Sequence, residues 1–170
     1  MPDSFTDLLA KCTRTALKLE FRDQYMIDDP AYSAWQAGDL DRAVGEYAGW
    51  TATARDAVER GIQMKRARVV SEPVSEYIAF EHAVTSQVNI AAGERIRWVG
   101  RQRVSDLALP GNDVWIFDDR VLQFCLFADD GRFVGNELSI EPVVVRLCVS
   151  AFEGAWERGV DHDQYRLRHT

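Results

Sequence analysis

A chain of 170 residues, 46% hydrophobic and 28% charged, holds enough apolar content for one folded core and too much for a disordered segment. Its net charge of -7 disfavours the whole domain as a binder of phosphate backbones, so nucleic acid is not the expected direct partner. Cys12, Cys125 and Cys148 are odd in number and set in apolar runs, as reduced core thiols of a cytoplasmic protein would be, and neither a leader pattern nor a membrane-length apolar run of about 18 residues is present.

Ser4 and Asp7 make a capping-box pattern, and Phe5, Leu8, Leu9 and Cys12 keep helical spacing, which predicts a helix from about Phe5 to Thr15. Leu17, Leu19 and Phe21 alternate with Lys18, Glu20 and Arg22, the pattern of a half-buried strand, with a sheet edge as its expected place. Asp29 and Pro30 open a short helix carrying Tyr32 and Trp35, and a helical stripe then runs from Leu40 to Gly61, interrupted by Gly45 and Gly49. Ile62 to Val70 reads as a strand with one charged face. Pro73 is the expected start of a helix closing near Gly93, before a strand from Arg95 to Val99. Strand, helix and strand in that order are the signature of a parallel crossover.

After a loop from Arg101 to Asn112, the runs Val114 to Phe117 and Val121 to Phe127 predict a hairpin turning at Asp118, Asp119 and Arg120. Arg132 to Leu138 then extends it into a meander. Val144, Leu147, Cys148, Ala151, Phe152, Ala155 and Trp156 follow helical spacing between Pro142 and Gly159. The expected architecture is one α/β or α+β domain over 1–170, with an ordered core at 5–160 and a polar tail at 161–170. Its mixed sheet combines a parallel strand-helix-strand unit with an antiparallel meander and is covered by helices.

The chemistry of the sequence is sparse. His82, His162 and His169 have no second ligand at metal spacing, so neither a metal nor a cofactor is expected, and the glycine of AAGER is a helix stop rather than a phosphate cradle. An acidic set, Glu72, Glu76, Glu81, Asp118 and Asp119, offers carboxylates for acid-base work, with Glu72, Asp118 and Asp119 as the candidate catalytic residues. Its plainer reading is a solvated helix face and a polar hairpin corner. A basic set, Lys65, Arg66, Arg68, Arg95, Arg97, Arg101 and Arg103, offers Arg68, Arg95 and Arg97 as candidate ligands for an anion, unless Glu72 and Glu94 neutralise them.

The segments VVSEPVSEYIAFE, AGERIRWVGR, DVWIFDD and DDGRFVGNELSIEP resemble an actinobacterial domain family of unknown function, commonly encoded beside helix-turn-helix regulators and small antitoxin-like proteins. The order of elements is also similar, more distantly, to degenerate phospholipase D-like domains, which implies a half-domain of that fold. Active members of that fold carry a His-x-Lys pair and an Asp four residues later. With Asp119 at the aspartate position, Asn112 and Val114 stand where the histidine and lysine belong, and neither can attack or hold a phosphate. The resemblance implies a non-enzymatic regulatory or binding domain acting with a protein partner, such as a helix-turn-helix regulator or toxin-antitoxin-like component. The alternatives are a phosphodiesterase-like or nucleic-acid-processing effector, and a sensor of a small anionic ligand.

Overall fold

The computed structural model describes residues 3–26 and 28–168. Ser4 caps α1 (Phe5–Lys11) by accepting the Asp7 N–H while Asp7 accepts the Ser4 N–H. This helix ends at Lys11, short of the expected Thr15, because Cys12 turns into extended backbone and the chain enters β1 (Thr15–Glu20). Asp29 caps α2 (Pro30–Gln36), and the stripe from Leu40 divides into α3 (Leu40–Gly45) and α4 (Ala48–Glu59). After β2 (Gln63–Val70), α5 (Glu76–Val88) starts behind Ser75, whose hydroxyl accepts the Ile78 N–H at 3.1 Å, rather than at Pro73. Then follow β3 (Arg95–Gly100), a 3₁₀ turn at Arg101–Val104, β4 (Asp113–Phe117), β5 (Val121–Phe127), β6 (Phe133–Ser139), α6 (Pro142–Arg158) and β7 (Val160–Asp161).

Among the described residues the strands form one seven-stranded sheet in the order β6-β5-β4-β1-β2-β3-β7. The β1–β2 and β2–β3 pairs are parallel and the others antiparallel, so the fold is mixed α/β with a parallel crossover and a meander. One expectation is corrected here: β1 is the middle strand, not an edge. Its Lys18 and Glu20 read as a solvent face by alternation, yet both are buried, because the charges of β2 lie alongside them under the helices.

The two faces of the sheet have different partners. On one, α6 buries Val145, Cys148, Ala151, Phe152 and Ala155 against Leu17, Leu19, Val69, Val114 and Ile116. Each large side chain there contributes about 1.5–3 kcal/mol before entropy. Val145 takes the inward place expected of Leu147, which is exposed. On the other face, Ala16, Met64, Trp115, Phe117 and Cys125 meet α1 and α4, and Phe80, Val84 and Val88 of α5 pack with Tyr32 and Tyr77.

The segment after Gly159 is more than a polar tail. Val160 and Asp161 pair with β3, and Tyr165 is buried, stacked on Trp98 with its hydroxyl donating to Glu72 at 2.8 Å. One aromatic anchor among polar residues gives no periodicity for sequence reading to find. His169 lies outside the described residues.

Candidate functional site

Strand register builds a layer of charge inside the protein. Lys18 lies beside Arg66, and Glu20 beside Arg68, on the parallel β1–β2 pair, all facing α4 and α5. The Glu20 carboxylate takes Arg66 Nη1 at 2.5 Å on one oxygen and Arg68 Nε at 3.0 Å on the other. Arg66 Nε also donates to Glu94 at 2.7 Å, Arg68 Nη1 donates to the Thr85 hydroxyl at 2.6 Å, and the Asn89 amide holds the second Glu94 oxygen at 2.6 Å. Gly93 makes this possible. Its φ of 93° ends the Ile90–Ala92 turn and delivers Glu94 beneath Arg66, and a β-carbon there would meet Val58 at 2.9 Å.

A cleft of about 310 Å³ opens onto this layer, walled by Tyr47, Trp50, Val84, Val88 and Trp115. The two acids on its lining are set apart by their surroundings. Burial pushes Glu20 up, but Arg66 and Arg68 outweigh it and hold the group down to about 2. Burial pushes Glu81 up to about 8, against the pull of Arg68 and with the help of Glu20. Its nearest cation is Arg68, at 4.0 Å.

Glu81 makes stability pH-dependent. The folded protein holds a proton that the unfolded chain releases above about 4.5, so the contribution of this group falls as pH rises from about 4.5 to about 8 and is flat beyond. Arg68, Arg66 and Glu20 face it from the sheet, Asp113 lies behind them, and Tyr47 lines the same cleft. Glu81→Gln keeps the shape and has no proton to lose. Denaturant unfolding at both ends of that window is expected to show the variant gaining on the wild type at the alkaline end, and an unchanged difference would count against the raised carboxyl.

The residues singled out from sequence do not share one site. Glu72 lies just past the C-terminal end of β2, held by Gln102 at 2.8 Å and by Tyr165. Asp118 and Asp119 lie at the other end of the parallel strands, in the β4–β5 turn, with φ of 52° and 55°. Asp118 accepts the N–H groups of Thr13, Arg14 and Thr15 at 2.8, 2.7 and 2.9 Å, and these bonds hold it well below the usual carboxylate range despite burial. Val114, at the lysine position of the phospholipase D-like alignment, is packed in the core under α6.

Alternation also divides the arginine set. Arg97 and Arg95 face α6, with guanidinium carbons 4.7 and 5.4 Å from the Trp156 ring centre, beside Lys65 at 5.5 Å. Arg97 further donates to Asp161 at 2.8 Å and so ties β7 to the sheet. Arg68 sits on the opposite face, in the ionic layer. Lys18 and Glu20 were not among the sequence candidates, and Arg66 entered only as a member of the basic set. Their signal was charge repeated at i, i+2 on one face of each of two strands. The rings of His82 and His162 lie 4.6 Å apart, tilted by 40°, but among the described residues no group of three or more His, Cys, Asp or Glu side chains could hold a metal ion.

A second surface lies at the far end of the sheet. β6 pairs only with β5, its outer backbone edge is free among the described residues, and most of its side chains are exposed. Val134 is 55% exposed, and just beyond the strand Ile140 and Val143 are each 70% exposed. Next to them a groove of about 640 Å³ runs between α1, the β4–β5 turn and the start of α6, lined by Leu8, Phe117, Val121, Leu138, Ile140 and Val145. No described helix is long and apolar enough to cross a membrane.

A family model for a domain of unknown function matches residues 3–167. No curated protein matches the chain. Among solved structures, that of TrmBL2, described as an archaeal chromatin protein with a novel mode of DNA binding, is similar at a TM-score of 0.42 and 15% identity. The match covers 91% of this chain and 48% of that one, so this chain spans about half of its length.

Proposed function

We propose, from the premise that this chain belongs to the DUF6879 family of domains of unknown function, that it is a non-enzymatic regulatory or binding domain of the cytoplasm whose protein partner adds a strand to β6. The observation that carries this reading is the free edge of β6. Seven residues long, it contains neither proline nor lysine, its edge protection is limited to Glu137 and an irregularity in its pairing opposite Leu126 and Phe127, and it leads into exposed Ile140 and Val143. The opposite edge, β7, is only two residues long. An extended segment would satisfy the outer backbone groups of β6 and could place an apolar side chain in the groove beyond Leu138 and Ile140.

The finer kinship, to an actinobacterial family encoded beside helix-turn-helix regulators and more distantly to degenerate phospholipase D-like domains, belongs to the same proposal and suggests the regulator as the partner. A phosphodiesterase-like effector finds less support, since Glu72 and Asp119 lie at opposite ends of the central strands and Asn112 and Val114 supply neither nucleophile nor phosphate ligand.

Where a helix-turn-helix regulator is encoded beside it, co-expression of the two is expected to yield one complex on size-exclusion chromatography with light scattering. Val134→Lys combined with Ile140→Lys is expected to abolish the complex and leave the melting temperature within a few degrees of wild type, as surface changes do. A complex that survives both changes, or none with the regulator, would overturn the reading. Twice the monomer mass for the chain alone would assign the edge to a second copy instead.

A further inference from the structure

The cleft between β1–β2 and α4–α5 contains donors that the protein itself leaves idle. Lys18 is only 6% exposed, yet among the described residues no carboxylate lies within 4.0 Å of its ammonium. Its one hydrogen bond goes to the Cys125 sulfur at 2.9 Å, and its nitrogen stands 5.3 Å from the centre of the Trp115 ring. A buried ammonium with one weak acceptor is costly, because two of its three N–H groups have no protein partner among the described residues. The indole N–H of Trp50 is also buried with no partner among the described residues. Both side chains line the same cleft.

The rest of the lining defines what would fit. Trp50 and Trp115 meet at 5.7 Å with an interplanar angle of 44°, and with Val84 and Val88 they form an apolar wall. The volume of about 310 Å³ is at the small end of ligand pockets. Lys18, Arg66 and Arg68 supply three positive charges, while Glu20 and, behind Arg66, Glu94 supply two negative ones. Arg66 and Arg68 are met by Glu20 and Glu94, so Lys18 is the lining cation left without a carboxylate within 4.0 Å, and a single ammonium suits a monoanion. A phosphate dianion would overshoot that balance and bring its second charge up against Glu20 and Glu81.

We propose that this cleft binds a small, flat monocarboxylate, with its carboxylate on Lys18 and the Trp50 indole N–H and its body against Trp115, Val84 and Val88. The site is independent of the β6 edge, so either can fail without the other.

Benzoate is the probe, with acetate, benzamide and inorganic phosphate beside it, followed by calorimetry and by the indole N–H resonances of ¹⁵N-labelled protein. Benzoate is expected to bind and to shift the Trp50 resonance, identified by its loss in Trp50→Phe. Benzamide, which has the ring without the charge, and acetate, which has the charge without the ring, are each expected to bind at least about tenfold more weakly, a difference of about 1.4 kcal/mol. Lys18→Met, which keeps length and apolar contact, should weaken benzoate by a similar factor. Trp50→Phe should do so by less and provides a second reading if Lys18→Met repacks the core. No binding of benzoate at about 10 mM, equal binding by both variants, or tighter binding of phosphate would each overturn the proposal.

Discussion

Glu20→Gln is expected to cost about 3–5 kcal/mol of folding stability, the loss typical when one partner is removed from a buried ion pair. Glutamine preserves the size of the side chain but leaves a single oxygen where two met Arg66 and Arg68, and turns an N–H₂ group toward a guanidinium. Two buried cations then share less negative charge, with Glu94 still on Arg66, and the hydroxyl of Thr85 and, at 4.0 Å, the Glu81 carboxyl beside Arg68. Denaturant unfolding at neutral pH measures the loss.

The mechanism has two further signatures. Glu20 is held down to about 2 in the folded state, so its contribution is full above the unfolded value of 4.5 and is lost as pH falls through about 2. The gap between wild type and variant should therefore close in acid. Glu20→Leu combined with Arg68→Met, which removes a charge of each sign, should recover much of the stability, because the penalty comes from a stranded charge rather than a missing contact. Equal losses in the single and double variants would locate the cost in packing.

Asp118→Asn is expected to cost about 2–4 kcal/mol, from the loss of several hydrogen bonds to a charged acceptor. The aspartate binds the three consecutive N–H groups that lead into β1, so it fixes where the middle strand of the sheet begins. Asparagine tolerates the positive φ of this position about as well as aspartate does, which separates the hydrogen bonds from backbone strain. Asp119→Asn, whose nearest cation is Arg14 at 4.0 Å on the exposed surface, should change stability by less than about 0.5 kcal/mol. A similar effect of the two substitutions would contradict the anchoring role.

Comparison of Asp118 with Lys18 shows what could be read from the chain. Asp118 and Asp119 stand between two apolar runs, and a polar pair in that setting is a turn, which is where the structure has them. The three N–H groups that Asp118 binds belong to residues about a hundred positions earlier, and no local pattern connects them. Lys18 and Glu20 were misread for a related reason. Alternation marks one face of a strand as polar, but polar means solvated only where nothing covers that face.

Local chemistry determined most of the elements: the caps at Ser4 and Asp29, the crossover from β2 through α5 to β3, the meander from Asp113 to Ser139 and the seam of α6 are all written in spacing, turn residues and apolar periodicity. The tertiary structure alone decided that β1 is the middle strand, that Arg68 and Arg97 face opposite sides of the sheet, and that Lys18, Glu20, Arg66 and Glu94 form one buried layer. The physical reason is that hydrogen-bond ladders between distant strands set the register, and the register determines which charges become neighbours before any of them can act as a site.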